Sequence, residues 1–238
     1  MHLTLRQRAS WTAHLFKAVT QQHHRELRGL FAPFLPAEGV AIDVGAHAGQ
    51  FSKLFARMAP RGHVYAFEPS AYARSIMAPA LALGGIKNVT LTPEGLSDSA
   101  TTMTLRTPLK RSSALGFGVA HLGADGLDTA FIDQQVALTT LDRFVRRHAV
   151  GRVDLIKADV EGWEMRALKG GEDTLRRFRP ALYLEIDEAL LVRAGDTPGA
   201  LFDWLESLGY VGHTTPEMAP IHRWTRPGDY LFARAEKP

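Results

Sequence analysis

Cysteine is absent from the whole 238-residue chain. That excludes a disulfide scaffold, a cysteine nucleophile and a thiolate metal site, and it suits a reducing compartment such as the cytosol. Long apolar runs are missing too. No stretch reaches the roughly 20 residues needed to span a bilayer, and the opening MHLTLRQRASWTAHLFKAV has neither the apolar core nor the small-residue cleavage site of a secretory signal. The expectation is a soluble, cytoplasmic protein. Charge of one sign is also scarce: 28 Lys and Arg against 25 Asp and Glu leave a net +3. The arginines are scattered and not interleaved with aromatics, so no nucleic-acid footprint is read. Arg143, Arg146 and Arg147, with Arg176, Arg177 and Arg179, read as solvated helix faces. His23 and His24 are adjacent, point in different directions on a helix, and read as surface residues that cannot share a metal.

What is present is a βαβ unit at residues 40–70, VAIDVGAHAGQFSKLFARMAPRGHVYAFEPS. Val40, Ala41, Ile42 and Val44 form an apolar run too short for a helix and stopped by glycine, as a parallel strand buried on both faces should be. Gly45 and Gly49 bracket a turn in which positive φ and close approach of a ligand are both allowed. Phe51, Leu54, Phe55 and Met58 recur at helical spacing until Pro60, and a second strand at 63–67 delivers Glu68 to its carboxyl end. An acid there, about 20 residues past the glycines, is how a Rossmann-like sheet holds a ribose. The dinucleotide spacing G-x-G-x-x-G fails, because His47 and Gln50 stand at its second and third glycines.

Further strands are expected at 88–92, 101–106, 153–158, 182–186, 210–213 and 230–233, with helices at 72–83, 141–148, 163–168 and 201–208. The pattern predicts one doubly wound α/β sheet in a domain covering 37–238, mostly parallel with an antiparallel final strand. Residues 1–36 form an N-terminal helical extension that packs on the sheet, covers the site mouth or makes a homodimer contact. Periodicity is lost over 107–135, where Leu115, Phe117, Val119, Leu122 and Phe131 sit among Gly and Ser; this reads as a substrate flap. The strand at 153–158 brings Asp159, Glu161 and Gly162 to the same edge as Gly45 and Glu68, where ligands of open α/β sheets sit. Asp159 and Glu161 are therefore candidates for chemistry or for capping the next helix.

The blocks IDVGAHAGQFS, VYAFEPS, NVTLTPEGLSD, TTLDRF, VDLIKADVEGWEMRALKGG and RPALYLEI, in this order, resemble the FkbM family of S-adenosylmethionine (SAM) methyltransferases, over about 40–186. The resemblance implies a class I methyltransferase fold, SAM as cofactor, and methyl transfer to a hydroxyl oxygen of a small molecule or sugar. Carried over, Asp43, Gly45, Ala46, His47, Gly49 and Phe51 line the methionine end, Glu68 and Pro69 the ribose, and Leu96, Ser97 and Asp98 the adenine. Asp159 lies near the reacting methyl. Asp159 or Glu161 acts as base, and Lys157 holds substrate or tunes a carboxylate. The family often has Asn where His47 stands, which leaves that side chain's role open. No metal is expected: Asp159, Glu185 and Asp187 could hold Mg²⁺, but a sulfonium methyl needs no Lewis acid. The rival readings are a non-catalytic nucleotide- or SAM-binding protein and, third, a nicotinamide-dependent oxidoreductase.

Overall fold

The computed structural model describes residues 5–108, 121–122 and 131–234. In chain order the elements are α1 (Leu5–Thr20), a 3-10 turn at Arg25–Leu27, α2 (Arg28–Phe31), β1 (Val40–Val44), α3 (Gln50–Met58), β2 (His63–Phe67), α4 (Ala71–Leu83), β3 (Val89–Thr92), β4 (Gly95–Leu96), β5 (Thr101–Pro108), β6 (His121–Leu122) and β7 (Phe131–Thr139). They continue as α5 (Leu141–Arg147), β8 (Leu155–Ala158), α6 (Glu164–Lys169), α7 (Glu172–Phe178), β9 (Ala181–Ile186), α8 (Glu188–Ala194), α9 (Pro198–Ser207), β10 (Tyr210–Thr214), β11 (Pro220–Ile221) and β12 (Gly228–Arg234). Among the described residues no helix is long and apolar enough to cross a membrane.

The main sheet runs β11-β10-β12-β9-β8-β1-β2-β3. Its centre is parallel, and β12 enters antiparallel between β9 and β10. The chain winds outward from β1 to β3, then returns to β8 on the other side of β1. The crevice of a doubly wound sheet opens at that reversal, outside the strand ends. One face carries Ala41, Leu155, Tyr183 and Leu231 against Phe31, Leu54 and Phe55. The other carries Ile42, Val44, Ile156 and Leu184 against Phe144, Leu168, Leu175, Leu191 and Leu205. The core therefore lies in two layers about the central strands, as buried parallel strands require.

Two sequence expectations need correction. A single sheet was expected, but β4-β7-β5-β6 form a second one, in which β5 and β7 pair antiparallel from Thr101↔Leu138 to Pro108↔Phe131. The 107–135 segment therefore holds β6 and the paired ends of β5 and β7, and the rest of the expected flap, with Leu115, Phe117 and Val119, lies outside the described residues. The reason is that β5 and β7 bury only one thin apolar row, Leu105, Val136 and Leu138, so their alternation is faint. Helices α7 and α8, which had no clear period, also appear.

Helix α1 docks on α4, while Phe31 at the end of α2 packs on the sheet face. Trp11 Nε1 donates to Ser75 Oγ at 3.0 Å, and His14 Nδ1 is hydrogen-bonded to the Tyr72 hydroxyl at 3.0 Å, both on α4. The buried Lys53 amine on α3 donates to the carbonyls of Ala18 and Gln21, completing acceptors that the end of α1 leaves open.

Candidate active site

At the carboxyl edge of β1, β2 and β8 a cavity of about 250 Å³ opens. The glycine turn forms its floor. Gly45 and Gly49 both have positive φ, at 74° and 79°, but a Cβ on Gly45 would lie 2.0 Å from the Asp159 carbonyl oxygen and one on Gly49 would lie 2.9 Å from Met77. Glycine is demanded there by backbone conformation and by the chain's own packing, a reason beyond ligand approach. His47 also takes positive φ, at 51°, which small polar residues such as Asn adopt with least strain. Burial, then the Lys157 charge, push His47 down to about 4, so the imidazole is neutral at physiological pH.

Glu68 stands at the end of β2. One oxygen accepts from the His47 amide at 2.7 Å and the other from the Ser70 amide at 2.8 Å, so the carboxylate ties the glycine turn to the start of α4. Burial raises its pKa and the two amides oppose the rise. Each oxygen keeps a further lone pair for a ligand hydroxyl. Beside it Pro69, Leu96, Leu105 and Trp163 form an apolar slot. Trp163 Nε1 donates to Ser97 Oγ at 3.2 Å, and the Arg166 guanidinium lies 4.8 Å from the indole ring.

The other end is charged and centred on Lys157. Its amine is buried, donates to the carbonyls of Val44 and Gly45 at 3.3 and 2.9 Å, and lies 3.5 Å from carboxylate oxygens of both Asp43 and Asp159. Burial alone would lower Lys157, but Asp159 and Asp43 outweigh it and keep the amine a cation. Burial would likewise raise Asp159, yet Lys157 and a hydrogen bond from Glu185 hold it below the ordinary carboxylate range. Partial burial and then Asp159 push Glu185 up to about 8. Glu185 is exposed near the end of β9, and its hydrogen bond to the ionised Asp159 favours the protonated form of Glu185. Asp229 stands opposite Glu185 in the β9–β12 register and hydrogen-bonds Tyr183.

Among the residues predicted for the site, Gly45, Ala46, His47, Phe51, Glu68, Pro69, Leu96, Lys157, Asp159 and Glu161 line this cavity, while Asp43, Gly49, Ser97 and Asp98 do not. Asp43 is fully buried and accepts from Ser52 Oγ at 2.5 Å, with its other oxygen 3.5 Å from the Lys157 amine. Ser97 and Asp98 back Trp163 and Arg166. The helix after β8 is capped by neither Asp159 nor Glu161: Glu164 Oε1 accepts from the amides of Val160 and Gly162 at 2.9 and 3.3 Å. Asp187 caps α8, accepting from the Leu190 amide at 3.2 Å. Sequence reasoning passed over Trp163, Tyr72 and Leu105, and it placed His24 on the surface. His24 lines the cavity: α1 has ended at Thr20, and His24, left-handed at the start of the 3-10 turn, stacks its ring on Phe51.

A profile of the methyltransferase FkbM domain matches residues 43–211. The chain belongs to the FkbM methyltransferase family. The matched region is a methyltransferase domain of the kind that takes SAM as cofactor. It is 31% identical over 207 residues to the AMB antimetabolite synthetase AmbE of Pseudomonas aeruginosa, covering 74% of this chain and 10% of that protein. It is 28% identical over 162 residues to methyltransferase sdnD of Sordaria araneosa, covering 58% of this chain and 62% of that protein. The chain thus spans a tenth and about three fifths of these curated relatives. The crystal structure of methyltransferase FkbM from Methylobacillus flagellatus superimposes with a TM-score of 0.54 at 14% identity, over 96% of this chain and 59% of that one. The fold is that of class I methyltransferases, a doubly wound sheet preceded by N-terminal helices. The residues present fit the cofactor: a buried carboxylate with spare lone pairs suits a ribose diol, and the apolar slot suits a purine.

Proposed function

We propose that this protein methylates a hydroxyl oxygen of a small molecule or sugar, with Asp159 as the general base. The observation that carries the reading is the position of Asp159, which faces the cavity from the end of β8 while Lys157 keeps it ionised. SAM, when bound, supplies a sulfonium methyl that leaves without further activation. In this reading Glu68 holds the ribose, Leu96, Pro69 and Trp163 enclose the adenine, and Gly45, Ala46 and His47 border the methionine portion. Lys157 locks the glycine turn through the Val44 and Gly45 carbonyls and keeps Asp159 a carboxylate, so it is a positioning residue. An acceptor hydroxyl beside Asp159 gives its proton to that carboxylate as the C–O bond forms, while Glu185, already protonated, keeps its hydrogen bond to the same carboxyl. Alignment supplies several kcal/mol of barrier reduction and a base adds about 10²- to 10⁴-fold. Asp187 is engaged in capping α8, which supports transfer without a divalent cation at that carboxylate.

The test is to incubate the protein with methyl-labelled SAM and a panel of sugars, polyols and phenols, and to identify labelled products by mass spectrometry. Label found only in amine or carbon products would overturn the hydroxyl assignment.

A further inference from the structure

His24 lies ahead of the matched family region, yet it lines the cavity. Three observations place it. Its ring stacks on Phe51, with centroids 4.3 Å apart and planes 12° from parallel, and the Lys157 amine sits 5.3 Å from the centre of that same phenyl ring. Its backbone is held left-handed, at φ 63°, by the 3-10 turn in which Leu27 N donates to the His24 carbonyl at 3.1 Å. The charged groups that act on the ring are Glu26 and His23 from its own segment, Asp229 from β12 and Lys157 from β8. His24 therefore stands over the β8–β12 end of the cavity, across from the slot of Glu68, Pro69 and Leu96. Among the described residues its ring nitrogens make no hydrogen bond, while stacking fixes the plane of the ring. A neutral imidazole so held offers one donor and one acceptor to whatever enters.

We propose that His24 is an acceptor-contacting residue: its ring forms the wall of the site at the methyl-transfer end, and the segment at 5–31 thereby selects which hydroxyl compounds reach the methyl. This rests on the methyl-transfer reading above. It goes beyond that reading by giving the specificity-determining contact to a part of the chain outside the family domain.

The test uses the full chain and needs no known acceptor. Two cavity ligands are compared, S-adenosylhomocysteine (SAH) and sinefungin, whose amine puts a positive charge where the sulfonium methyl would be. Imidazole ¹H–¹⁵N spectra are recorded against pH with each at saturation, and the His24 signals are assigned by their loss in His24→Gln. A unit charge about 8 Å away across partly hydrated space lowers a histidine midpoint by roughly 0.4 to 1.5 pH units. The expected result is a His24 midpoint lower with sinefungin than with SAH by an amount in that range. Equal midpoints in the two complexes would overturn the proposal, and so would a shift confined to His47. Calorimetry showing that neither ligand binds would refute the methyl-transfer reading, and this inference with it. Should His24→Gln fail to fold, assignment by through-bond correlation in the parent protein serves the same comparison.

Discussion

Replacing Glu164 by glutamine should remove a pH dependence that the wild-type protein carries in its stability. Glu164 is 2% exposed, with one oxygen accepting two loop amides and the other, Oε2, buried and without a hydrogen-bond partner among the described residues. Burial first, opposed by the amides and reinforced by Asp159, raises its pKa from the ordinary 4.5 to about 7. Between these values the folded protein keeps a proton that the unfolded chain has released, so stability falls as pH rises and levels off above about 7. A displacement of that size is worth about 3 kcal/mol at pH 8. Glutamine preserves an oxygen for both amides and cannot ionise. Urea unfolding, followed by tryptophan fluorescence at pH 5 and pH 8, should show wild type losing about 2 to 3 kcal/mol more than Glu164→Gln across that interval. Glu185, Glu161 and Asp229 are also raised, and the difference between variants cancels their common contribution. Parallel losses within about 0.5 kcal/mol would refute the reasoning, because they would mean that Glu164 titrates alike in both states.

Glu68→Gln should weaken SAH binding by about 1.5 to 3 kcal/mol, the range for a hydrogen bond to a charged group, while its retained oxygen still serves one of the two amides; calorimetry giving parental affinity would take Glu68 out of the site. Asp159→Asn should lower kcat about 10²- to 10⁴-fold and remove the acidic limb of the pH–rate profile; an unchanged kcat would strip Asp159 of the base role. Transfer should survive EDTA, and activity lost on chelation and restored by Mg²⁺ would bring the carboxylates of β8 and β9 back as metal ligands. Trp163→Ala should cost SAH about 1 to 3 kcal/mol through lost apolar contact, and a variant that binds as the parent does would place the purine elsewhere.

Much of this was legible where the apolar period is strong. The run from Val40 to Val44 is buried on both faces, so its alternation vanishes and its length alone marks a strand; Glu68 and Asp159 then follow by position. The second sheet was not legible, since β5 and β7 share one thin apolar row. Lys157 looked available for substrate because a lysine ending a strand normally reaches solvent; only the register that sets it between Asp43 and Tyr183 shows it buried. Glu164 carried a signal that was passed over, an acid in the first helical turn just after a glycine. His24 carried none. Its place depends on how α1 lies against α4, which no local period encodes.

The way α1 is fastened has a consequence for how such proteins can change. Lys53 grips residues 18 and 21 by their carbonyls, and a carbonyl is the same in every amino acid. The latch is therefore blind to the side chains beside it. Ala18 is buried, but substitutions at the exposed Val19, Thr20, Gln21 and His23 leave the latch closed, so the stretch leading to His24 is open to drift while its hinge on the domain is not. Diversity of acceptors can in this way be inherited through a segment of chain that leaves the cofactor's half of the cavity untouched.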